Sequence, residues 1–404
     1  MQTLSHGAQG KRVLILGGGY AGLMAAARIA RSRTPLNLML VDARPEFVQR
    51  IRLHELLAGI PVATLPYAPL LARRGIGFVQ AEVERLELDA QKAVARSVDG
   101  SRVELEFDLL VLTLGSRGSA PIAGVVEHAI RLNDPDALRR EAEALPEMAA
   151  SGGRLLVVGG GLTGMEAATE IAERYPGVKV TLATTSRLGA GFSEGAARHL
   201  RRRFDSLGIA VHEKVNVEAV GAGEAHLGGG GTLPFDRCIW SGGFEAAALA
   251  REAGMKVDAA GRALVDSSLR SVSHGNVFVA GDAALLQLGG REIRMGCVTA
   301  MPTGAHAGEN VRRLLLGAEP VAFDFGFPGR NVSLGRKDAL IQFTDREDRP
   351  MERILTGRAA GIVKEGVCRM TLAVPRTELR TGLPLYRWPY SGKGAAGERA
   401  NPDE

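Results

Sequence analysis

The chain has 404 residues, 45% of them hydrophobic and 24% charged, which excludes a disordered protein and suggests two or three domains. A net charge of +5 over that length is a mild bias, suited to anionic cofactors or an anionic membrane surface, and no nucleic-acid partner is expected. Aromatics at 5% argue against a surface of stacked aromatic side chains, while 52 glycines with only 18 prolines point to tight turns or backbone held close to a ligand.

The first predicted element is an apolar strand at 13–16, short enough to be buried on both faces. Gly17-Gly18-Gly19-Tyr20-Ala21-Gly22 follows, then an alanine-rich stretch with helical spacing, then a second apolar run at 36–41 that ends in Asp42-Ala43. This is a βαβ unit whose glycines fit G-x-G-x-x-G. The first glycine permits the tight turn, the second lets a pyrophosphate approach the backbone, and the third lets helix and strand pack closely. The N–H groups at the helix start then hold phosphate, and an acid about 20 residues on accepts ribose hydroxyls. Arg50, Arg52, His54 and Glu55 form a polar cluster in an otherwise apolar stretch. It reads as a solvated or salt-bridged helix start, or as a contact to an acceptor, with His54 able to shuttle a proton. Val83 lies in the strand-like QAEVERLEL, and the strand at 107–116 ends in Thr113-Leu114-Gly115.

Residues 154–172 then repeat residues 12–30 without gaps, with about half the positions identical, an offset suited to a duplicated domain. Gly159-Gly160-Gly161-Leu162-Thr163-Gly164 is the second finger, followed by an apolar run at 178–182. Where the first copy has Asp42, the second has Thr184 and Thr185, with Ser186 and Arg187 beyond, so NADH and NADPH both stay open. Glu166 lies one turn into the helix, either as an acid favoured by the macrodipole or as a proton handler, and Glu170 one turn later reads as structural. The run Arg201-Arg202-Arg203 reads as a solvated helix face. Two more strands end in glycine: 237–244 in Gly242-Gly243 and 276–284 in Gly281-Asp282.

Pro302 reads as near a helix start, where its missing N–H is tolerated. Cys297 is a small core residue or a thiol in an acceptor pocket. Cys238, Cys297 and Cys368 stand far apart, without C-x-x-C or metal spacing, so no metal site is expected and a reducing compartment, the cytoplasm, fits best. No secretory pattern opens the chain, and no stretch reaches the ~18–20 apolar residues of a membrane span. The polar tail at 391–404 is expected to be disordered.

In this order, these segments resemble the two-dinucleotide-binding-domain flavoproteins of the pyridine nucleotide-disulfide oxidoreductase superfamily, over residues 11–325. The resemblance implies an α/β fold of two Rossmann-like domains, glutathione-reductase-like, with the NAD(P) domain inserted in the FAD domain. FAD binding is implied for residues 10–115 and 270–325, NAD(P)H binding for 116–269, and an α+β interface region for 326–390. It implies FAD on the first finger (residues 17–22), Asp42, Ala43, Arg50, Val83, Thr113, Leu114, Gly115, Gly281, Asp282 and Pro302. It implies NADH or NADPH on the second finger (residues 159–164), Thr184, Thr185, Arg187, Gly242 and Gly243. Disulfide-reducing members carry a cysteine pair beside the first helix. This chain has no cysteine before Cys238, which excludes a dithiol relay.

Within the superfamily the chain most resembles type II NADH dehydrogenase. Thr163-Gly164-Met165-Glu166 matches T-G-x-E, and the segments 47–59 and 332–367 resemble two further family regions. This implies that Glu166 is catalytic, close to flavin and nicotinamide, and that electrons pass from NAD(P)H through FAD to a small-molecule acceptor, a quinone first among them. Arg52, His54 and Cys297 are the expected acceptor-side contacts. Two features depart from the family: CVTAMP stands at 297–302 in place of A-Q-x-A-x-Q, and no membrane-binding C-terminal helices are evident. A soluble flavin-dependent reductase or oxidase is therefore the second expectation, and a nucleotide-sensing flavoprotein the third. Peripheral contact with the cytoplasmic face of the membrane and a homodimer are both left open.

Overall fold

The computed structural model describes residues 2–3, 10–119 and 122–389, so the tail expected at 391–404 lies outside the described residues. The first βαβ unit folds as read: β1 (Lys11–Leu16), α1 (Tyr20–Ile29) and β2 (Leu36–Asp42), with β1 and β2 parallel from Lys11 opposite Leu36 to Leu16 opposite Val41. Both faces of β1 are covered, which is why residues 13–16 are all apolar and buried. These strands sit inside an eight-stranded sheet. Leu109–Leu112 and then Val277–Val279 pair beside β1, while Gly77–Glu87, Lys92–Ser97 and Arg102–Glu106 extend the other edge. The short helix α2 (Leu53–Leu57) follows β2.

The second unit repeats the plan with β3 (Arg154–Val158), α3 (Leu162–Arg174) and β4 (Lys179–Thr184). Its five-stranded sheet is all parallel, in the order Ile130–Arg131, Arg237–Trp240, β3, β4, Ala210–Glu213. The chain enters and leaves this unit through two segments that pair antiparallel, Ser116–Gly118 and Phe244–Ala246.

Helix α4 (Cys297–Leu315) crosses α1 closely: a Cβ on Gly304 or Gly308 would run into the backbone of Ala21 or Ala25. Pro302 is buried inside this helix, not at its start. Gly296 is the N-cap, about one and a half turns earlier, and its N–H donates to Asp282 Oδ1 at 2.8 Å. The tertiary bond fixes the helix start, so the proline signal misplaces it.

The C-terminal part is a three-stranded antiparallel sheet, β5 (Arg330–Ser333), β6 (Ala339–Thr344) and β7 (Pro350–Thr356), followed by the 25-residue helix α5 (Gly357–Thr381). The segment where no membrane-binding C-terminal helices were evident thus does form a helix, through Pro375. Pro375 is accommodated on the buried face, and the helix continues to Gly382, whose positive φ of 73° closes it. Its buried residues Ala360, Lys364, Cys368, Thr371, Pro375 and Leu379 recur every three or four positions. Near its end Glu378 makes two 2.8 Å hydrogen bonds to Arg28 of α1, both side chains buried. That pairing pins α5 across the first unit.

Candidate functional site

A cleft of about 1290 Å³ takes its walls from all three parts of the chain. From the first finger, Gly17, Gly19, Tyr20 and Ala21 line it, joined by Asp42, Ala43 and Arg50. Val83, Thr113, Leu114, Gly115, Gly281 and Asp282 line it as well. Gly18, Gly22 and Pro302 do not. Gly22 is buried against the carbonyl oxygen of Gly17, where a Cβ would overlap, and Gly18 is pressed on the Tyr67 ring. At Gly19, by contrast, a Cβ would meet nothing within 4 Å, so its backbone faces open cleft.

Asp42 Oδ2 accepts from Gly18 N at 2.7 Å and Oδ1 from Arg44 N at 2.9 Å. Burial raises its pKa from the ordinary value, and these two N–H groups pull it back. Asp282 is held likewise, Oδ2 by Ser116 Oγ at 2.6 Å and Oδ1 by Gly296 N. Arg50 lines the cleft and is exposed there. Its guanidinium donates to a single protein acceptor, the carbonyl oxygen of Ser116.

The second finger has the same geometry. Gly159 takes φ +116°, matching +99° at Gly17. A Cβ on Gly164 would overlap the carbonyl oxygen of Gly159, and Gly161 is open. Leu162, Thr163 and Glu166 from the first turns of α3 line the cleft, whereas Gly159, Gly160, Gly161 and Gly164 lie outside its lining. Gly242, Gly243, Thr184, Thr185 and Arg187 are also outside it, while Phe244, next to Gly243, lines it. Thr184 is buried against Gly160, with Oγ1 accepting from Ser186 N at 3.4 Å, while Arg187 is exposed. The acid missing after β4 has a neighbour that no linear pattern reveals. Glu213 stands opposite Thr184 on the adjacent strand, accepts from Leu188 N at 2.8 Å and pairs with Arg201. Arg203 pairs with Glu173 and donates to the carbonyl of Leu334 at 2.9 Å, so only Arg202 of the basic run behaves as a solvated residue.

Where α3 meets α5, Glu166 Oε1 receives Lys364 Nζ at 2.7 Å and Ser333 N at 3.1 Å, all three groups buried. Lys364 also reaches Asn331 Oδ1 at 3.1 Å. Burial opposes the charge on Glu166, but the Lys364 ammonium and the His54 side chain outweigh it, and the carboxyl sits below its ordinary pKa. Lys364 sits above its own, the pull of Glu166 overcoming burial. His54 Nδ1 lies 3.7 Å from Glu166 Oε2, and its Nε2 is buried without a hydrogen-bond partner. Burial lowers the His54 pKa despite Glu166 and Glu55, so the ring is neutral at pH 7.

Arg52 is buried and bonds Glu55 at 2.9 Å and Glu365 of α5 at 2.8 Å. It braces α2 against α5 and is absent from the cleft lining. Glu170, as expected, is structural: it is buried and bonds Arg336 at 2.8 Å.

Cys297 and Cys368, distant in sequence, line the same cleft. Burial pushes the Cys297 thiol up to about 11 and raises Cys368 as well, so both are protonated at neutral pH and poor nucleophiles. Cys238 is buried within the second unit. Among the described residues, no group of three His, Cys, Asp or Glu is placed to hold a metal ion.

Lys364 and Asn331 are the site residues the sequence reading missed. The available signal for Lys364 was a single lysine on the apolar stripe of a helical segment, 360–368.

The family profile for pyridine nucleotide-disulphide oxidoreductases matches residues 11–304, most of the chain and both fingers. The chain belongs to this family. It is an NAD(P)H oxidoreductase of the flavoprotein, NADH dehydrogenase-like kind. Type II NADH:quinone oxidoreductase from Staphylococcus aureus is 26% identical over 396 residues, spanning 88% of this chain and 93% of that protein. Demethylphylloquinone reductase from Synechocystis is 28% identical over 290 residues, spanning 68% of this chain and 72% of that one. Among solved structures of this fold, NDH2 from Plasmodium falciparum in complex with NADH superposes with a TM-score of 0.77 at 14% identity, covering 94% of this chain and 100% of that one. The sulfide:quinone oxidoreductase of Aquifex aeolicus superposes equally well, at 0.77 and 19% identity over 91% of this chain and 92% of that one.

Proposed function

We propose that this oxidoreductase carries FAD on the first finger, takes hydride from NADH or NADPH on the second, and passes the electrons to an apolar acceptor of the quinone class. One observation carries the reading: α3, which the second finger opens, places Glu166 in the wall of the cleft that the first finger lines, and α5 supplies its counter-charge.

The residues present fit FAD. Gly19 offers open backbone, Arg50 is exposed to the cleft with one protein acceptor among the described residues, and Asp42 and Asp282 are carboxylates at strand ends within the cleft. Gly17, Gly19 and Arg50 would hold the phosphates, and Asp42 a ribose. When bound, FAD supplies the redox centre between nicotinamide and acceptor. The chain's own residues do the rest. Thr163 and Leu162 would position the nicotinamide half. Lys364 keeps Glu166 ionised, so Glu166 Oε2 can accept a proton in a wall that excludes bulk water. His54, neutral and with an idle Nε2, can hold or hand on a second proton.

The rim supports this acceptor class. Phe244, Val363 and Met370 line the cleft while 43%, 47% and 40% exposed, an apolar mouth for an apolar ring. Peripheral membrane contact is part of this proposal, because such acceptors reside in lipid. No helix among the described residues is long and apolar enough to cross a membrane.

The reading is tested by an anaerobic acceptor screen with both nucleotides, with and without liposomes. Short-chain quinones should turn over fastest. A polar metabolite or oxygen outrunning every quinone would favour the second reading, a soluble reductase or oxidase. One observation favours that alternative: there is no glutamine between Gln287 and Gln342, where the resemblance places the quinone motif.

A further inference from the structure

Away from the cleft, a hollow of about 510 Å³ is lined by Arg31, Arg33, Arg74 and Arg312 together with Leu316 and Gly382. It lies where three helices end: α1 just before Arg31, α4 just before Leu316, and α5 at Gly382. Among the described residues, the single carboxylate serving these arginines is Glu309, which accepts from Arg31 Nη1 at 2.8 Å and from Arg312 Nε at 2.8 Å. Glu309 is also 3.6 Å from Arg28, whose charge Glu378 already balances.

The other two arginines have no anionic partner among the described residues. Arg33 is exposed and makes no hydrogen bond or ion pair there. Arg74 donates from Nη2 to the carbonyl oxygen of Ala30 at 3.1 Å, and its Nε is buried with no partner at all. A buried, unmet donor on a cation is costly, and the expectation is that something satisfies it. Helix C-termini carry partial negative charge and attract arginine, which is the plain explanation for such a cluster. It accounts for the bond from Arg74 to Ala30 and for Arg312 in the last turn of α4, but not for the exposed Arg33 or for the unmet Nε of Arg74.

We infer that this hollow binds a phosphate group. Four guanidinium groups against one carboxylate, converging on one concavity, match the fork geometry and charge that recognise phosphate oxygens. The phosphate could be carried by a soluble ligand or by a phospholipid head. Leu316 inside the hollow and Leu383 beside Gly382 are 53% and 56% exposed, so the lipid source needs its own arm of the test.

The flavin-loaded protein is titrated with inorganic phosphate at constant ionic strength, with chloride as the control, by calorimetry and by thermal melting. It is separately pelleted with vesicles of phosphatidylcholine alone or mixed with phosphatidylglycerol. Arg33→Ser, a surface change, and Arg74→Met are the variants. Saturable phosphate binding weakened about tenfold or more by either variant establishes the site with a soluble source. Pelleting with the anionic vesicles alone, reduced by the variants, establishes it with a lipid source. NADH oxidation with a soluble acceptor should be unchanged in Arg33→Ser. If phosphate binds no better than chloride, and wild type and variants pellet alike, the arginines serve only the helix ends and the inference is wrong.

Discussion

Replacing Lys364 by Met isolates what the buried ammonium does. The substitution keeps a long flexible side chain and removes the positive charge 2.7 Å from Glu166 Oε1. Breaking a buried pair leaves an uncompensated charge, at about 3–5 kcal/mol. The folded variant can instead protonate Glu166, at a cost of the same order at pH 7 that falls as pH falls. The cost is about 1.4 kcal/mol for each pH unit above the ordinary glutamate pKa of about 4.3, or about 3.7 kcal/mol at pH 7. The sign follows by linkage. In the wild type Glu166 is held below its ordinary pKa, so its contribution is present above that value and lost only as pH falls through the folded one. Lys364 is held above its ordinary pKa, so its contribution is present below about 10.4 and lost as pH rises through the folded value. Between about pH 5 and 8 the intact pair therefore adds no pH dependence. In Lys364→Met the folded state holds a proton that the unfolded state lacks. The deficit should then shrink by about 1.4 kcal/mol per unit as pH falls from 7 to 5. Equilibrium urea unfolding of the flavin-loaded protein at pH 5, 6, 7 and 8 measures this, with Glu166→Gln/Lys364→Met alongside. The double variant should recover most of the pH 7 loss. A deficit flat in pH, or a double variant no better than the single, would refute the reasoning.

Three further outcomes follow from the same geometry. Gly164→Ala forces a Cβ against the carbonyl of Gly159, so KM for the nicotinamide nucleotide should rise by about ten- to a hundredfold while flavin content holds, as steady-state kinetics and absorbance would show. Arg187→Ala should weaken NADPH by about tenfold and leave NADH unchanged if that exposed guanidinium meets a 2′-phosphate; equal effects on the two would discard the role. Glu166→Gln should keep flavin bound and slow turnover, with the acid limb of the kcat profile displaced; an unaltered profile would remove Glu166 from proton handling.

Both glycine fingers were legible because the chemistry is local. Gly22 and Gly164 are dictated by the carbonyl oxygens of Gly17 and Gly159, five residues back, and Gly17 and Gly159 themselves take positive φ in turns where strand, turn and helix are contiguous. What escaped reading depends on contacts across the chain. Lys364 gains meaning only because α5 lies against α3, and Pro375 disguised the helix that carries it. Glu213 stands beside Thr184 through strand pairing, 29 positions away in the chain. Pro302 pointed to a helix start that Asp282 instead fixes at Gly296. Arg203 looked solvated, and Arg52 was left between a helix-start and an acceptor role, because their partners, Glu173 and Glu365, come from distant segments.

The central claim is that two dinucleotide cradles serve one cleft. Anaerobic rapid mixing of the purified flavoprotein with NADH, and separately with NADPH, tests it most directly. The flavin absorbance near ~450 nm, as expected of a protein-bound cofactor, should bleach rapidly with at least one of them in the wild type and far more slowly in Gly164→Ala. A protein that bleaches with neither nucleotide, or that takes up no flavin at all, would contradict the account.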